Sequence, residues 1–385
     1  MNCNVCGETL GDPVYESDSE QSLTSLCELR AVRARVWSCP ACTHLQSARM
    51  PDQTGYYASE YRISLGAEDE DQIYDVHGER IVYRTQHQVD TLLAHLDLPK
   101  GAFILDYGCA KAAGPQLILD RRPDLVMHLF DVSDMYREHW KRIIPIERTA
   151  VNTTPGDWQG RFDVVTSFFA IEHMDQPGEV LMKIAKLLKS GGVLYGIVPD
   201  TFGNVADFVV TDHVNHFTAP SLSRLLTRCG FGHLTIDSTL HRGALVFTAK
   251  KGGAAPDRPW MDSAQVRERS LGLAAYWTAL GTRLRLAEER LGDGGAAIYG
   301  AGFYGSWIAS ALAKPDRVRC FLDRSPFQQG KLHFGKSVLS PNELPSDVKM
   351  IYVGLNPSIA RQALSQSPFA SDREVELIFL DGAAA

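Results

Sequence analysis

The stretch AFILDYGCAKAAG, residues 102–114, decides how the rest of the chain is read. Phe103, Ile104 and Leu105 form an apolar run suited to a buried parallel strand, and Asp106 closes it. Gly108, Cys109, Ala110, Ala112, Ala113 and Gly114 make a loop of small residues, and residues 115–120 read as a helix. Strand, tight loop and helix are the first crossover of a doubly wound α/β sheet, whose ligands sit at the carboxyl ends of the strands. Small residues belong there because a Cβ branch holds a ligand away from the backbone.

A carboxylate at the strand end suits a cationic or hydroxyl-bearing ligand better than a phosphate. Asp106 therefore favours S-adenosylmethionine, with its ammonium and ribose, over a dinucleotide. VMHLFDVS (126–133) reads as the second strand and ends in Asp131, 23 residues after Gly108. An acid there hydrogen-bonds ribose hydroxyls in such sheets; a helix cap at Asp131 or Asp134 is the plainer reading. Residues 161–200 then give a strand (162–169), a loop, an amphipathic helix (177–188), a Gly-Gly turn and another strand. This alternation implies a parallel sheet. Val89, Leu92, Leu93 and Leu96 at helical spacing place a helix over 83–96, and strands over 234–238 and 245–249 complete the sheet.

At 385 residues the chain is long enough for two or three domains. A net charge of −7 and the lack of a strongly basic run argue against nucleic acid or an anionic membrane as partner. No apolar run approaches the ~18 residues of a membrane span, and no basic-then-apolar leader pattern opens the chain. A cytoplasmic protein is expected. Residues 250–262, rich in Gly and Pro, read as a linker.

The eight cysteines include two pairs, Cys3-x-x-Cys6 and Cys39-x-x-Cys42, with Gly7 directly after the first. Four thiolates match tetrahedral zinc, and a closed site of this kind stabilises a fold without catalysing. A redox-active dithiol is the alternative. The 32 intervening residues exceed the usual ribbon loop, and a small hairpin fits there. Beyond them the acidic run from Glu68 to Asp71 reads as a solvated loop. Tyr56, Tyr57, Tyr61 and Arg62 either cap a substrate cleft or pack a small domain onto a larger one.

Asp212, His213 and His216 put three acid–base groups within five residues, in a loop after the βαβ unit. Loops of that kind carry function, and a carboxylate beside an imidazole tunes its tautomer and basicity. Thr218 to Ser221 reads as the turn and cap of a helix over 222–227. Helix formers dominate 264–291, and AAIYGAGFYGSWIASAL (296–312) starts a second nucleotide-type unit, with Gly300-x-Gly302-x-x-Gly305 and an acid, Asp323, at the end of the next strand. That pattern alone is the dinucleotide fingerprint.

LDYGC (105–109), FDVS (130–133), FDVVTSFFAIEHMDQP (162–177) and LLKSGGVLYGIVPD (187–200) resemble, in order and spacing, the motifs of class I S-adenosylmethionine-dependent methyltransferases. DRSPFQQGKLHFGKSVLSPNEL (323–344) is similar to the C-terminal domain of the sugar C-methyltransferases of deoxysugar pathways. Those enzymes also begin with a four-cysteine zinc domain and carry the methyltransferase fold in the middle. The resemblance implies an α/β protein in three parts: a small zinc-binding domain (1–75), a Rossmann-like methyltransferase domain (76–250), and a linker helix with a second Rossmann-like domain (251–385). It implies zinc on Cys3, Cys6, Cys39 and Cys42. It also implies Asp106, Gly108 and Ala110 on the methionine and ribose, Asp131 on the ribose, and Ala170, Glu172 and His173 beside the transferable methyl.

By the same resemblance the reaction is methyl transfer to a sugar carried on a nucleotide diphosphate, at a carbon beside a keto group. His213 is the base, with His216 or Asp212 orienting it or the substrate. The family has glycine where this chain has Ala110, and tyrosines where it has Val210 and His216. The second departure brings in O- or N-methylation of a related glycan precursor as an alternative. The C-terminal glycine loop is expected to serve packing and substrate closure, with a nicotinamide-dependent oxidoreductase as the competing reading.

Overall fold

The computed structural model describes residues 1–62, 71–77, 80–254, 263–365, 367–369 and 374–381. The acidic run, apart from Asp71, and the linker from residue 255 to residue 262 lie outside them. Contacts divide the chain into two compact units. The first comprises Met1–Asp12, Trp37–Asp207 and Asp212–Arg267, and the second Pro13–Val36, Phe208–Thr211 and Glu268–Ala385.

The first unit is built on seven strands: β1 (Phe103–Tyr107), β2 (Val126–Asp131), β3 (Thr149–Val151), β4 (Phe162–Phe168), β5 (Leu188–Pro199), β6 (Phe231–Asp237) and β7 (Ala244–Lys251). Their order is β3-β2-β1-β4-β5-β7-β6. The first five run parallel, and β7 lies antiparallel to both β5 and β6. The longer helices accompanying them are α1 (Arg84–His95), α2 (Ala113–Arg121), α3 (Pro177–Leu187) and α4 (Ala219–Arg228).

The period-two alternation of a strand sends its side chains to two separate cores. Leu105, Val165, Leu194 and Val198 pack with Leu181 and Ile184 of α3 and Leu222 and Leu225 of α4. Their neighbours Ile104, Val164, Tyr195 and Ile197 pack with Val89 and Leu92 of α1 and Ile118 of α2. Both faces of the central strands are covered, so β1 reads as an unbroken apolar run. Where the sequence suggests a turn at Gly191 and Gly192, β5 continues through both; the excursion is absorbed as a register shift against β4. Helix α4 begins earlier than expected because Thr218 and Ser221 form a reciprocal cap and Pro220 is tolerated in the first turn.

In the second unit, α5 (Ser263–Arg290), which belongs to it from Glu268 onward, leads into β8 (Gly295–Tyr299), α6 (Phe303–Ala311), β9 (Val318–Leu322), β10 (Leu332–His333), β11 (Lys336–Leu339), β12 (Val348–Val353), α7 (Pro357–Leu364) and β13 (Glu376–Phe379). The sheet order is β10-β11-β9-β8-β12-β13, all parallel except β10. Leu273, Tyr276, Leu280, Leu284 and Ala287 form the buried stripe of α5. The buried Glu288 carboxylate accepts from the Ala313 and Lys314 amides at 2.9 and 2.8 Å. A hairpin pairing Ser22–Leu23 with Leu29–Arg30 occupies the segment between the cysteine pairs.

Candidate functional site

The carboxyl ends of β2, β1 and β4 lie side by side in the sheet, where a fold of this kind opens its ligand crevice. Gly108 turns at φ +85°, and its amide donates to the Phe130 carbonyl at 2.8 Å. A Cβ at position 108 would lie 2.7 Å from the Ala170 methyl, so glycine there is required by both conformation and space. Ala110 and Ala112 are also left-handed, at φ +44° and +63°, a conformation that costs an alanine about 1 kcal/mol. The loop is held all the same. Asp131 accepts the Ala110 amide at 2.8 Å and the Ser133 amide at 3.0 Å, and the Trp140 indole donates to the Ala110 carbonyl at 2.7 Å.

Asp106 lies at the floor, buried, with Thr166 donating to it at 2.7 Å. Burial pushes its carboxyl up to about 7, outweighing the Thr166 hydrogen bond. A buried acid with one hydroxyl partner is a receptor for a positive group. Asp131 is raised too, also by burial. The ammonium and ribose of S-adenosylmethionine therefore fit these residues chemically: two acids flank a loop whose side chains leave the backbone approachable.

A second group of polar side chains is built on the loops after β4 and β5. His213 bonds Asp207 through Nδ1 at 2.6 Å, and His216 bonds the same carboxylate through Nδ1 at 3.3 Å. Thr201 donates to Asp207 at 2.7 Å. Burial disfavours a charged His213, but the hydrogen bond and charge of Asp207, with Asp212 and Glu172 behind, raise it to about 9. Burial pushes Asp207 the other way, yet the bonds from His213 and His216 hold it well below the ordinary carboxylate range. His216 is fully enclosed, with Nε2 2.7 Å from Ser47 Oγ, so both of its nitrogens are engaged within the protein.

The His173 ring faces His213 at 4.7 Å between centroids, nearly perpendicular. Burial, and then the charge on His213, lower His173 to about 4. Its Nδ1 is 2.6 Å from the Tyr57 hydroxyl, which donates to the Asp212 carbonyl at 2.9 Å. Asp212 itself is buried, with its carboxylate 3.4 Å from the same hydroxyl. Tyr57 stands on a π-helical turn, Tyr56–Glu60, tilted against Tyr61 and edge to face against His173. Glu172 lies beside the two imidazoles with Oε2 unpartnered among the described residues, and burial raises its carboxyl to about 8.

The structure thus brings Asp212, His213, Glu172 and His173 together, and gathers Asp106, Gly108, Ala110, Asp131 and Ala170 at the crevice. His216 supports Asp207 from behind. Sequence reading missed Asp207, the partner that His213 actually uses, because a carboxylate six residues upstream carries no spacing signature. It named Tyr57 only as part of a cap; the hydroxyl's role needed coordinates.

The four cysteines form a cluster of their own, with Cys3 Sγ 3.5 Å from Cys42 Sγ and Cys6 Sγ 3.4 Å from Cys39 Sγ. All four sulfurs lie within 4.8 Å of one another. Two like knuckles present them: Gly7 and Thr43 take left-handed φ of +82° and +59°, and their amides bond the Cys3 and Cys39 carbonyls at 2.9 Å. The hydrogen bond from Cys42 drives Cys3 down to about 5. A convergent thiol set with one member readily ionised fits zinc.

The second unit repeats the crevice's backbone pattern. Gly300 donates to the Leu322 carbonyl at 2.7 Å, and Asp323 accepts the Ala301 and Ser325 amides at 2.7 and 2.8 Å. Gly305 admits no Cβ, since the Gly300 carbonyl would lie 1.9 Å away.

Residues 78–235 match a family model described as a methyltransferase domain. No curated protein matches the chain. Among solved structures, it is similar to an O-methyltransferase family protein from Burkholderia thailandensis, at 16% identity over 44% of this chain and 57% of that one, TM-score 0.36. An S-adenosylmethionine-dependent methyltransferase from Mesorhizobium loti is 15% identical over 43% of this chain and 98% of that one, TM-score 0.35. The CurJ carbon methyltransferase is 13% identical over 43% and 55%, TM-score 0.35. The chain thus spans little more than half the length of the first and third.

Proposed function

We propose that this chain, whose residues 78–235 match a methyltransferase-domain model, uses S-adenosylmethionine to methylate a nucleotide-linked ketosugar at the carbon beside the carbonyl. The observation that supports the reading is the His213–Asp207 pair facing His173, with Tyr57 and Asp212 behind it. When bound, S-adenosylmethionine supplies an electrophilic methyl on a sulfonium, so the protein's task is to make and aim the nucleophile.

His213 is the base of this reading. With Nδ1–H on Asp207, Nε2 is the atom that takes the proton from the substrate carbon, and the resulting imidazolium is already paired. At neutral pH Asp207 favours the protonated ring, and the neutral fraction is the competent one. His173, kept uncharged and held from behind by Tyr57 and Asp212, faces the base. Asp106, Gly108, Ala110 and Asp131 hold the donor, and Ala170, Glu172 and His173 line the approach to its methyl. Zinc on the four cysteines is structural: no ligand position stays open for substrate. The three-part organisation, 1–75, 76–250 and 251–385, belongs to the same proposal.

The test is mass spectrometry and NMR after incubation with S-adenosylmethionine and a panel of 4-keto and hydroxylated nucleotide sugars. A product heavier by one methylene, carbon-linked, supports the proposal. Methylation on oxygen or nitrogen moves His213 to deprotonating a heteroatom. No methylated product from any member overturns the sugar assignment.

A further inference from the structure

The proposed base and two side chains beside it have the makings of a second metal site. Glu172, His173 and His213 each offer a ligand atom, and these atoms lie within 4.8 Å of one another. Each imidazole has its Nδ1 engaged, His213 by Asp207 and His173 by Tyr57 and Asp212, which leaves Nε2 as the nitrogen for a cation. That is the outer-shell arrangement that orients metal-ligating histidines. The third ligand carries the independent signal: Glu172 is 1% exposed, yet its Oε2 has no hydrogen-bond partner among the described residues. An orphaned carboxyl oxygen buried beside two imidazoles is an unmet demand for a cation.

We infer that Glu172, His173 and His213 bind one zinc-class divalent cation, separate from the ion on the four cysteines. The reading deepens the function proposed above and rests on it for its consequence, though the site itself stands on geometry alone. Two imidazoles and one carboxylate suit zinc, cobalt or nickel, and leave coordination positions for water or substrate oxygens. A tetrahedral zinc shell sets its ligand atoms about 3.3 Å apart, so the three ligand atoms, now within 4.8 Å of one another, need only draw together. The nitrogen lone pair that would hold the cation is the one that would take the substrate proton. Occupancy and base catalysis are therefore exclusive, and the cation acts as an inhibitor.

The experiment titrates cobalt into the full-length protein with the cysteine site already filled by zinc, followed by visible absorption. The expected result is one further equivalent of cobalt with ligand-field bands of nitrogen–oxygen coordination and no sulfur-to-cobalt charge-transfer band. Glu172→Gln and His173→Gln each abolish that signal, and Asp207→Asn weakens binding about 10–100-fold, as loss of an outer-shell partner does. Thermal melts confirm that the variants are folded. Wild-type protein that takes up no non-thiolate cobalt overturns the inference, as does uptake that Glu172→Gln and His173→Gln leave intact. Calorimetry with S-adenosylmethionine on the same samples separates the two readings: donor binding without cobalt sinks the metal site alone, and cobalt without donor binding supports the site and sinks the methyl-transfer assignment.

Discussion

His213 and Asp207 are the residues on which the proposed chemistry turns. Asp207→Asn keeps the shape of the carboxylate but loses the charge that pairs with His213 and His216. Turnover is expected to fall by about 10²–10⁴-fold, the range for losing general-base function, with affinity for S-adenosylmethionine unchanged; steady-state kinetics beside calorimetry measures both. Unimpaired turnover in the variant removes the dyad from the mechanism. Asp106 gives a pH prediction whose sign follows from burial. Its folded value near 7 leaves the carboxyl neutral below that pH and charged above it. A bound ammonium prefers the charged form, so donor affinity rises as pH passes upward through about 7, and Asp106→Asn flattens the profile. Wild-type affinity that stays constant from about pH 6 to about pH 8 contradicts this role for Asp106. At this scale the sequence showed which residue types were present but not their pairings. Asp212 adjoins His213 in the chain, yet the fold turns it toward Tyr57 and brings Asp207 to the imidazole.

The elements that were legible are those with a strong local signal. The β1 run, the α3 stripe and the Thr218 cap all sit where patterning put them, while the loop after β1 is shorter than expected because Ala113 and Gly114 already belong to α2. The bulge at Gly191 was not legible, because a Gly-Gly pair reads equally as a turn. Strain in the loop after β1 is a second element-scale finding: Ala110→Gly removes the left-handed penalty on an alanine and is expected to stabilise by about 1 kcal/mol, read as a rise in melting temperature. A lower melting temperature counts against that account. The cysteine knuckles act as a brace. His44, two residues after Cys42, lies 3.3 Å from Asn215 Oδ1; the Ser47 amide bonds the Val214 carbonyl at 3.1 Å, and Leu45–Gln46 pairs with Asn215–His216. Removing the metal or making Cys39→Ser should speed amide exchange across residues 212–218 as well as lower the melting temperature. Exchange there that stays slow after metal removal denies the brace.

Taken whole, the molecule carries two doubly wound sheets with the same opening gesture. In each, an acid at the end of the second strand gathers the amides of the glycine loop and of a serine two residues on. Local pattern revealed both sheets for this reason, but could not rank their ligands, since the cradle is shared. Nor did it show that Pro13–Val36, lying between the cysteine pairs, groups with the second unit. Such a grouping depends on contacts remote in sequence. The central claim is that the first crevice, above Asp106, holds the methyl donor. Calorimetric titration of S-adenosylmethionine tests it with two variants, Gly108→Val, where a side chain meets Ala170, and Gly302→Asp, where space is open. One donor bound per chain, lost in folded Gly108→Val and retained in Gly302→Asp, is the predicted result; no binding by the wild type, or binding lost with Gly302→Asp and kept with Gly108→Val, contradicts it.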